Sequence, residues 1–313
     1  MPEDTHSLKQ GVLDRSEFLS QTRLTGREMI EQFRYVLDRH EGGFLFYYFG
    51  NLDQVSHMMW RPMDPDHPSY DAEQDSAFAH VIEDIYVELD GVVGEALDRI
   101  GEDGTLIVMS DHGFTSWRRT FHLNAWLVEN GYLTPRDPNL RSDPGFLTNI
   151  DWRRTRAYGL GINGLYLNLR GRERDGTVSP SEYDALLDEI GAKLLALEDP
   201  ETGGPVVTRV YKSREYYQDR GGLEIGPDMQ VGYAKGTRGD DATAGGGVIG
   251  TILSDNTMEW TGDHCMDHEA VPGVLFSNRP LQRPVVALKD LAAGILAEYG
   301  IEGFPSRGRS DKE

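Results

Sequence analysis

The stretch Leu-Ile-Val-Met-Ser-Asp-His-Gly-Phe at residues 106–114 decides the fold that this sequence predicts. Residues 105–109 form an apolar run that is too short for a helix and β-branched enough for a buried strand. Ligands of open α/β sheets bind just beyond the carboxyl ends of the strands. Asp111 and His112 stand at that point and are candidate metal ligands, and Gly113 allows a tight turn after them. The alternative is an ordinary turn with a surface histidine.

Two further stretches favour the metal site. Residues 44–49 predict another strand, and Asp53 and His57 follow it. One helical turn after this strand would place both side chains on the same face, and a carboxylate with an imidazole suits zinc. His264 lies in a third Asp- and His-rich stretch, residues 260–268, before a third predicted strand at 273–276. Three such loops, each beside a predicted strand, are difficult to explain as unrelated polar residues on the surface.

These blocks resemble those of a known family. Asn-Leu-Asp-Gln-Val-Ser-His at 51–57, Ser-Asp-His-Gly at 110–113 and Gly-Asp-His at 262–264 are similar in content and order to the metal-binding blocks of the type I phosphodiesterase/nucleotide pyrophosphatase family. That family belongs to the alkaline phosphatase superfamily, and the resemblance runs from about residue 42 to the end. It implies an α/β fold with an alkaline phosphatase-like sheet that carries helices on both faces. The strands predicted between the second and third blocks add a small inserted cap subdomain.

The resemblance also implies an activity and a site. It implies a metal-dependent hydrolase of phosphodiester or pyrophosphate bonds, with nucleotides among the possible substrates. Two divalent metal ions are expected, usually zinc, with manganese as an alternative. The resemblance places Asp53, His57 and His264 on one ion and Asp111 and His112 on the other.

One part of the family pattern is missing from the sequence. The family has an early strand that ends in another metal-binding Asp and is followed by a Thr or Ser nucleophile. Residues 1–25 contain no apolar strand of that kind. We therefore expect this chain to be the carboxyl-terminal part of a longer enzyme, with the catalytic nucleophile outside it. The alternatives are a sulfatase or phosphosugar mutase of the same superfamily, or a non-catalytic metal-binding domain.

Candidate substrate contacts are weaker. The planar guanidinium groups of Arg118 and Arg119 suit a phosphate, although an exposed arginine pair on a loop is usually only solvated. Asn163 stands between Ile162 and Gly164 and is most simply a turn residue, with a polar substrate contact as the alternative.

Three residues near the blocks have other interpretations. His122 has no acidic companion at metal-ligand spacing and is interpreted as a structural or surface histidine. Cys265 adjoins His264, but a small packed thiol is favoured over a metal ligand. Asp263 is a candidate for orienting a ligand without touching the metal.

Composition limits the partners. The 313 residues include 31 basic and 52 acidic side chains, for a formal net charge of −21. This balance argues against binding to a nucleic-acid polymer or an anionic membrane. It is compatible with a small-molecule phosphoester, because metal ions dominate the field in such a site. A single cysteine excludes an internal disulfide framework. With no apolar run of membrane-spanning length and no signal peptide, we expect a cytoplasmic protein.

The chain is predicted to have four parts. They are an amino-terminal extension and helix at 1–41, an α/β metal-binding core at 42–131 and 246–304, a cap at 132–245 and a tail at 305–313. Helices are predicted at 26–40 (capped by Thr25), 72–100, 123–130, 180–197 and 286–299. Strands are predicted at 205–211 and 229–233, with a hairpin within 156–170. The Gly-rich residues 236–250 are predicted to be a mobile loop or lid.

Overall fold

The computed structural model describes residues 3–137, 139, 142–143, 147–217 and 220–301, which form a mixed α/β structure. The helices are α1 (Thr5–Lys9), α2 (Arg15–Arg39), α3 (Asn51–Met59), α4 (Ala72–Asp75), α5 (Val81–Ile100), α6 (Leu123–Glu129), α7 (Tyr183–Leu195), α8 (Ser213–Tyr216), α9 (Arg220–Ile225), α10 (Asp241–Ala244) and α11 (Leu288–Glu298). Short 3-10 turns lie at Arg61–Met63 and Ser76–Phe78.

The strands are short. They are β1 (Ile107–Met109), β2 (Thr115–Ser116), β3 (Arg119–Phe121), β4 (Ser142–Asp143), β5 (Ala157–Gly159), β6 (Gly164–Leu167), β7 (Val207–Lys212), β8 (Met229–Tyr233), β9 (Thr237–Gly239), β10 (Val248–Ile249), β11 (Leu253–Asp255), β12 (Gly262–Asp263) and β13 (Leu275–Ser277). Within the described residues they form a four-stranded sheet β5-β6-β8-β7, a three-stranded sheet β11-β3-β9, and the pairs β1-β13, β2-β12 and β4-β10. One continuous alkaline phosphatase-like sheet with helices on both faces therefore stays a prediction.

The predicted strand at 44–49 is wrong as a hydrogen-bonded element. Its backbone joins no sheet of the described residues, although its side chains alternate as in a strand. Leu45, Tyr47 and Phe49 pack on helices α2 and α5, whereas Phe44, Phe46 and Tyr48 are exposed. The sequence also predicted strand β1. This strand lies beside helices α2 and α5, because Leu106, the residue directly before it, packs on the same cluster. The continuous apolar run was readable from the sequence, but a strand also needs a neighbour to pair with.

Two helix predictions are corrected by local capping. Helix α2 starts at Arg15 and not at Gly26, because Asp14 and Glu17 form a reciprocal capping box. Thr25 is buried inside that helix, where its hydroxyl donates to the carbonyl of Thr22 at 2.9 Å. The predicted helix at 72–100 is interrupted after α4, and α5 begins only at Val81. The buried carboxylate of Asp75, the last residue of α4, accepts the backbone N–H of Asp71 at 2.8 Å. This contact ties the end of α4 to the residue before its start, so that α4 is a single turn.

The Gly-rich stretch 236–250 is also corrected. It contains β9, α10 and β10 and is not a structureless loop. Strand β9 pairs in parallel with β3, and the Asp240 side chain caps α10 by accepting the N–H of Thr243 at 3.1 Å. The pattern lacked apolar periodicity because these elements are two to four residues long.

The core forms three hydrophobic clusters. The largest lies between residues 121 and 248 and includes the predicted β5-β6 hairpin and helix α7. A second cluster surrounds helix α3, and a third lies between α2 and α5. The domain boundaries drawn from the sequence, including the cap at 132–245, stay predictions. None of the described helices combines the length and hydrophobicity that a membrane crossing requires.

Candidate metal centre

The first ligand pair stands on α3. Asp53 lies in the first turn of this helix and His57 lies one turn later, so Asp53 Oδ1 is 3.6 Å from His57 Nε2. This is the same-face relationship that the four-residue spacing predicts. The helix buries Val55, Met58 and Met59 in its own hydrophobic cluster, which fixes the direction of the opposite face. The pair is therefore held by a packed helix and not by a free loop.

Two more imidazoles approach the same carboxylate oxygen. His112 Nε2 and His264 Nε2 each lie 3.8 Å from Asp53 Oδ1. Ligand atoms of Asp53, His112 and His264 all lie within 4.8 Å of one another. Three ring nitrogens from three separate parts of the chain thus surround one oxygen atom.

That oxygen is buried and accepts no hydrogen bond from the described residues. A buried carboxylate oxygen without a partner is costly and calls for an explanation. A divalent cation between the oxygen and the ring nitrogens supplies one. Carboxylate and imidazole ligands in a set of this size fit zinc, which takes four such ligands in tetrahedral sites.

Two carbonyl oxygens set the tautomers of the histidines. His57 Nδ1 lies 2.8 Å from the carbonyl oxygen of Gly262, and His112 Nδ1 lies 3.0 Å from that of Gly113. Because a carbonyl oxygen accepts, each Nδ1 carries the proton and each Nε2 presents a lone pair to the site. Fixing of the tautomer through the second ring nitrogen is usual for metal-binding histidines.

Two glycines permit the convergence of the three loops. A Cβ at Gly113 would overlap the carbonyl oxygen of Pro272, and a Cβ at Gly262 would overlap that of Ser56. The first contact brings the loop after β1 against the segment before β13. The second brings β12 against helix α3. Close backbone approach of this kind is possible only without a side chain.

The environment of His57 and His264 favours their neutral forms. Burial lowers the pKa of His57, and the nearby carboxylates of Asp263 and Asp53 only partly oppose this effect. Burial also lowers the pKa of His264, and the neighbouring His112 lowers it further. A neutral imidazole is the form that binds metal, so these shifts favour a metal over a proton.

Aromatic rings enclose one side of the centre. The ring centroids of Trp260 and Phe114 lie 4.0 and 4.7 Å from that of His57. Phe114 also lies 5.3 Å from His264 and stacks on Trp60. This wall lowers the local polarity, which strengthens electrostatic interactions at the centre.

Asp111 stands at the edge of the centre. Its Oδ1 is 3.6 Å from His112 Nε2, and its side chain is 62% exposed. His112 thus lies between Asp53 and Asp111. The sequence-based division, with His112 beside Asp111 on a second ion, stays a prediction.

Asp263 supports the centre from behind. Its carboxylate accepts the N–H of His264 and of Cys265, both at 2.8 Å, and the indole N–H of Trp260 at 3.0 Å. Arg238 Nε lies 2.8 Å from the same carboxylate. Burial alone would raise the pKa of Asp263, but Arg238 and the backbone donors hold it below its usual range. The sequence suggested Asp263 as an orienting residue, but nothing in it identified Arg238 as its partner.

Cys265 carries a partly buried thiol beside the centre. Burial raises the pKa of its thiol to about 12, which disfavours the thiolate that metals bind. Its Sγ lies near Asp263 and His264, but the Asp263 oxygens are already occupied by donors.

The three candidate substrate contacts are engaged elsewhere. Arg118 binds Asp64, with Nε 2.8 Å from the carboxylate. The buried Arg119 binds three acidic residues, Asp199, Glu201 and Asp255. Asn163 donates to the carbonyls of Val231 at 2.8 Å and Cys265 at 3.3 Å. These contacts give each side chain a structural partner, and a role in substrate binding stays a prediction.

Comparison with known proteins gives one result. The model of the family described as type I phosphodiesterase / nucleotide pyrophosphatase matches residues 9–230. The matched range is more than half of the 313 residues and contains Asp53, His57, Asp111 and His112, whereas His264 lies beyond it. No curated protein and no solved structure matches the chain.

Proposed function

The chain belongs to the type I phosphodiesterase/nucleotide pyrophosphatase family of the alkaline phosphatase superfamily, and we propose that it provides most of the two-metal site of a phosphoester hydrolase. The substrates would be small molecules with phosphodiester or pyrophosphate bonds, including nucleotides. The observation that carries the proposal is the buried Asp53 Oδ1, which faces the Nε2 atoms of His57, His112 and His264. A cytoplasmic location stays a prediction.

The residues would divide between two ions. Asp53, His57 and His264 supply three ligands and leave one position open for substrate or water. Asp111 and His112 supply two ligands to a second, weaker ion. When bound, the metal ions would neutralise charge on the phosphoryl oxygens and activate the attacking oxygen. Zinc fits the ligands best, and manganese is the alternative.

This chain's own residues prepare that site. His57 and His112 present their Nε2 lone pairs to the site because their Nδ1–H groups donate to the backbone carbonyls of Gly262 and Gly113. Asp263 fixes the backbone at His264, and the Trp260 and Phe114 rings exclude water from one side.

We further propose that the nucleophile and another metal-binding Asp reside outside this chain. Residues 44–49 and strand β1 pack on one helical layer and lead to Asp53 and Asp111 respectively. They do not pair with each other, and residues 44–49 pair with no described strand. A further strand between them would run towards the metal centre and could deliver the missing groups there.

Metal titration and turnover test this function together. The 313-residue chain should bind one zinc ion tightly and a second weakly, with little hydrolysis of bis-(p-nitrophenyl) phosphate. Expression of the chain together with an upstream segment of its reading frame should make both ions tight and restore turnover. Two equally tight ions and rapid hydrolysis by the 313-residue chain would mean that a nucleophile lies within it, with Ser110 and Thr115 as the first candidates. Absence of any tight zinc would exclude the metal centre itself.

A further inference from the structure

Three polar side chains meet outside the metal centre, where β3, α10 and β11 come together. His122 follows β3, Asp240 precedes α10, and Ser254 is the middle residue of β11. The Ser254 hydroxyl lies 3.0 Å from His122 Nε2. On the other side of the ring, His122 Nδ1 lies 3.0 Å from Asp240 Oδ2. A hydroxyl, an imidazole and a carboxylate in this order form the arrangement of a Ser-His-Asp nucleophile.

The backbone holds the three residues in place. The N–H of His122 donates to the carbonyl of Ile252 at 2.8 Å, within the pairing of β3 with β11. The N–H of Asp240 donates to the carbonyl of Phe121 at 3.1 Å. All three residues are therefore attached to the same short sheet, so their separation does not depend on a flexible loop.

A nucleophile has to be more exposed to solvent than the residues that activate it, and the three residues differ in burial in this way. His122 and Asp240 are buried, whereas Ser254 is partly exposed. Strand β11 lies at the edge of its three-stranded sheet, with no second neighbour among the described strands. Ser254 is therefore the most accessible of the three residues, whereas the imidazole and the carboxylate are shielded.

The carboxylate is incompletely satisfied. Asp240 Oδ1 and His122 Nδ1 are buried and have no well-directed hydrogen bond within the described residues, although Nδ1 is at ion-pair distance from Oδ2. A buried carboxylate with spare acceptor capacity is costly in a purely structural role. The same capacity stabilises an imidazolium that forms during a reaction. Poorly aligned contacts in a ligand-free site can tighten when substrate binds.

We propose that Ser254 is the nucleophile of a second, metal-independent site for small uncharged carboxylic esters. His122 would act as the base and Asp240 as a positioning residue. An uncharged ester is favoured because Asp255 adjoins the nucleophile and the chain carries a net charge of −21. The site shares no residue with the metal centre.

The proposed ester hydrolysis needs only the side chains of this site and water. Ser254 Oγ bonds to the ester carbon and its proton passes to His122 Nε2. The carbon–oxygen bond to the alcohol breaks, and the departing oxygen takes the proton from His122. Water then attacks the acyl carbon, gives a proton to His122, and releases the acid. Ser254 recovers its proton as the acyl–oxygen bond breaks.

Covalent labelling tests the proposal. The folded chain is treated with an alkyl fluorophosphonate in excess chelator, which removes the contribution of the metal centre. Ser254 Oγ should bond to phosphorus as fluoride leaves, with the proton passing to His122. Peptide mass spectrometry should locate the adduct at Ser254. The wild-type result stands without any variant, so a variant that fails to fold does not prevent a decision.

Variants then test the role of each residue. Ser254→Ala should abolish the adduct, and His122→Gln should slow labelling at least about a hundredfold. Asp240→Asn should slow p-nitrophenyl acetate turnover at unchanged KM, which a merely structural role would not do. Ser69→Ala is the matched control: Ser69 is also partly exposed, but its hydroxyl donates to the carbonyl of Asn256 at 3.4 Å, and only its backbone N–H contacts an imidazole, that of His67. No adduct, an adduct on another residue, or labelling that is unchanged in folded His122→Gln would overturn the proposal.

Discussion

The imidazole rings of His112 and His264 are stacked, with centroids 3.6 Å apart and planes within 14° of parallel. They come from the loop after β1 and from the segment after β12, and both Nε2 atoms face Asp53 Oδ1. The stacking therefore places the Nε2 atoms of both rings on the same carboxylate oxygen.

Removal of the central carboxylate should abolish tight metal binding. Asp53→Asn keeps the shape of the side chain but removes the charge that three imidazoles face. We expect zinc affinity, measured by competition with a chromophoric chelator, to fall by at least about a hundredfold. Asp66→Asn is the control, because that carboxylate is 81% exposed and pairs with Arg118 instead. Equal affinities of the two variants would contradict the role of Asp53.

Addition of one methyl group at Gly113 should disturb the fold and the centre together. The new Cβ of Gly113→Ala would overlap the carbonyl of Pro272, which is backbone and cannot swing away. We expect a loss of about 2 kcal/mol or more in the free energy of unfolding, measured by urea titration, together with weaker zinc binding. Gly91→Ala, within α5, meets no atom within 4 Å and should instead gain roughly 0.5–1 kcal/mol. A stable Gly113→Ala variant with normal zinc affinity would show that the close approach is unimportant.

Loss of the positive partner of Asp263 should be costly. Arg238→Met leaves a buried carboxylate without its counter-charge, and breaking a buried ion pair costs roughly 3–5 kcal/mol. Combining it with Asp263→Asn should recover part of that loss, because the uncompensated charge is then gone. Chemical denaturation of the two single variants and the double variant measures this coupling. Strict additivity of the two changes would mean that the pair does not act as a unit.

The sequence predicted best those features whose residues lie close together in the chain. Asp53 with His57, and Asp111 with His112, are close enough in the chain for a spacing rule to pair them. The strand at 44–49 was predicted from its continuous apolar run, but pairing depends on a neighbouring strand that such a run does not reveal. The capping box of α2 was readable from Asp14 and Glu17, and the apolar pattern after Gly26 obscured it. The Arg238–Asp263 pair joins distant segments, so no local pattern could identify it.

Acid should destabilise the protein through His67. Its Nε2–H donates to the carbonyl of Trp117 at 3.1 Å, while its Nδ1 accepts the N–H of Ser69 at 3.1 Å. Burial lowers the pKa of His67 below its ordinary value of 6.5. Protonation of Nδ1 would also turn the acceptor of the Ser69 N–H into a second donor. The stability that neutral His67 contributes is therefore complete above about pH 6.5 and is lost as the pH falls through the lowered value.

The measurement for this prediction is the free energy of unfolding between pH 8 and pH 5. The wild type should lose stability below about pH 6.5 more steeply than His67→Gln, whose side chain keeps a donor and an acceptor but does not titrate in this range. His80→Gln serves as the control, because His80 is 79% exposed. Parallel curves for the wild type and His67→Gln would exclude His67 as the cause.

The central claim is that Asp53 and the surrounding histidines hold a metal ion. Anomalous diffraction at the zinc absorption edge, from a crystal supplied with one equivalent of zinc per chain, tests it most directly. We expect one strong anomalous peak within about 2.0–2.2 Å of Asp53 Oδ1, of His264 Nε2 and of the Nε2 atom of His57 or His112. A crystal whose anomalous peak lies away from Asp53, or that shows no peak at full zinc loading, would contradict it.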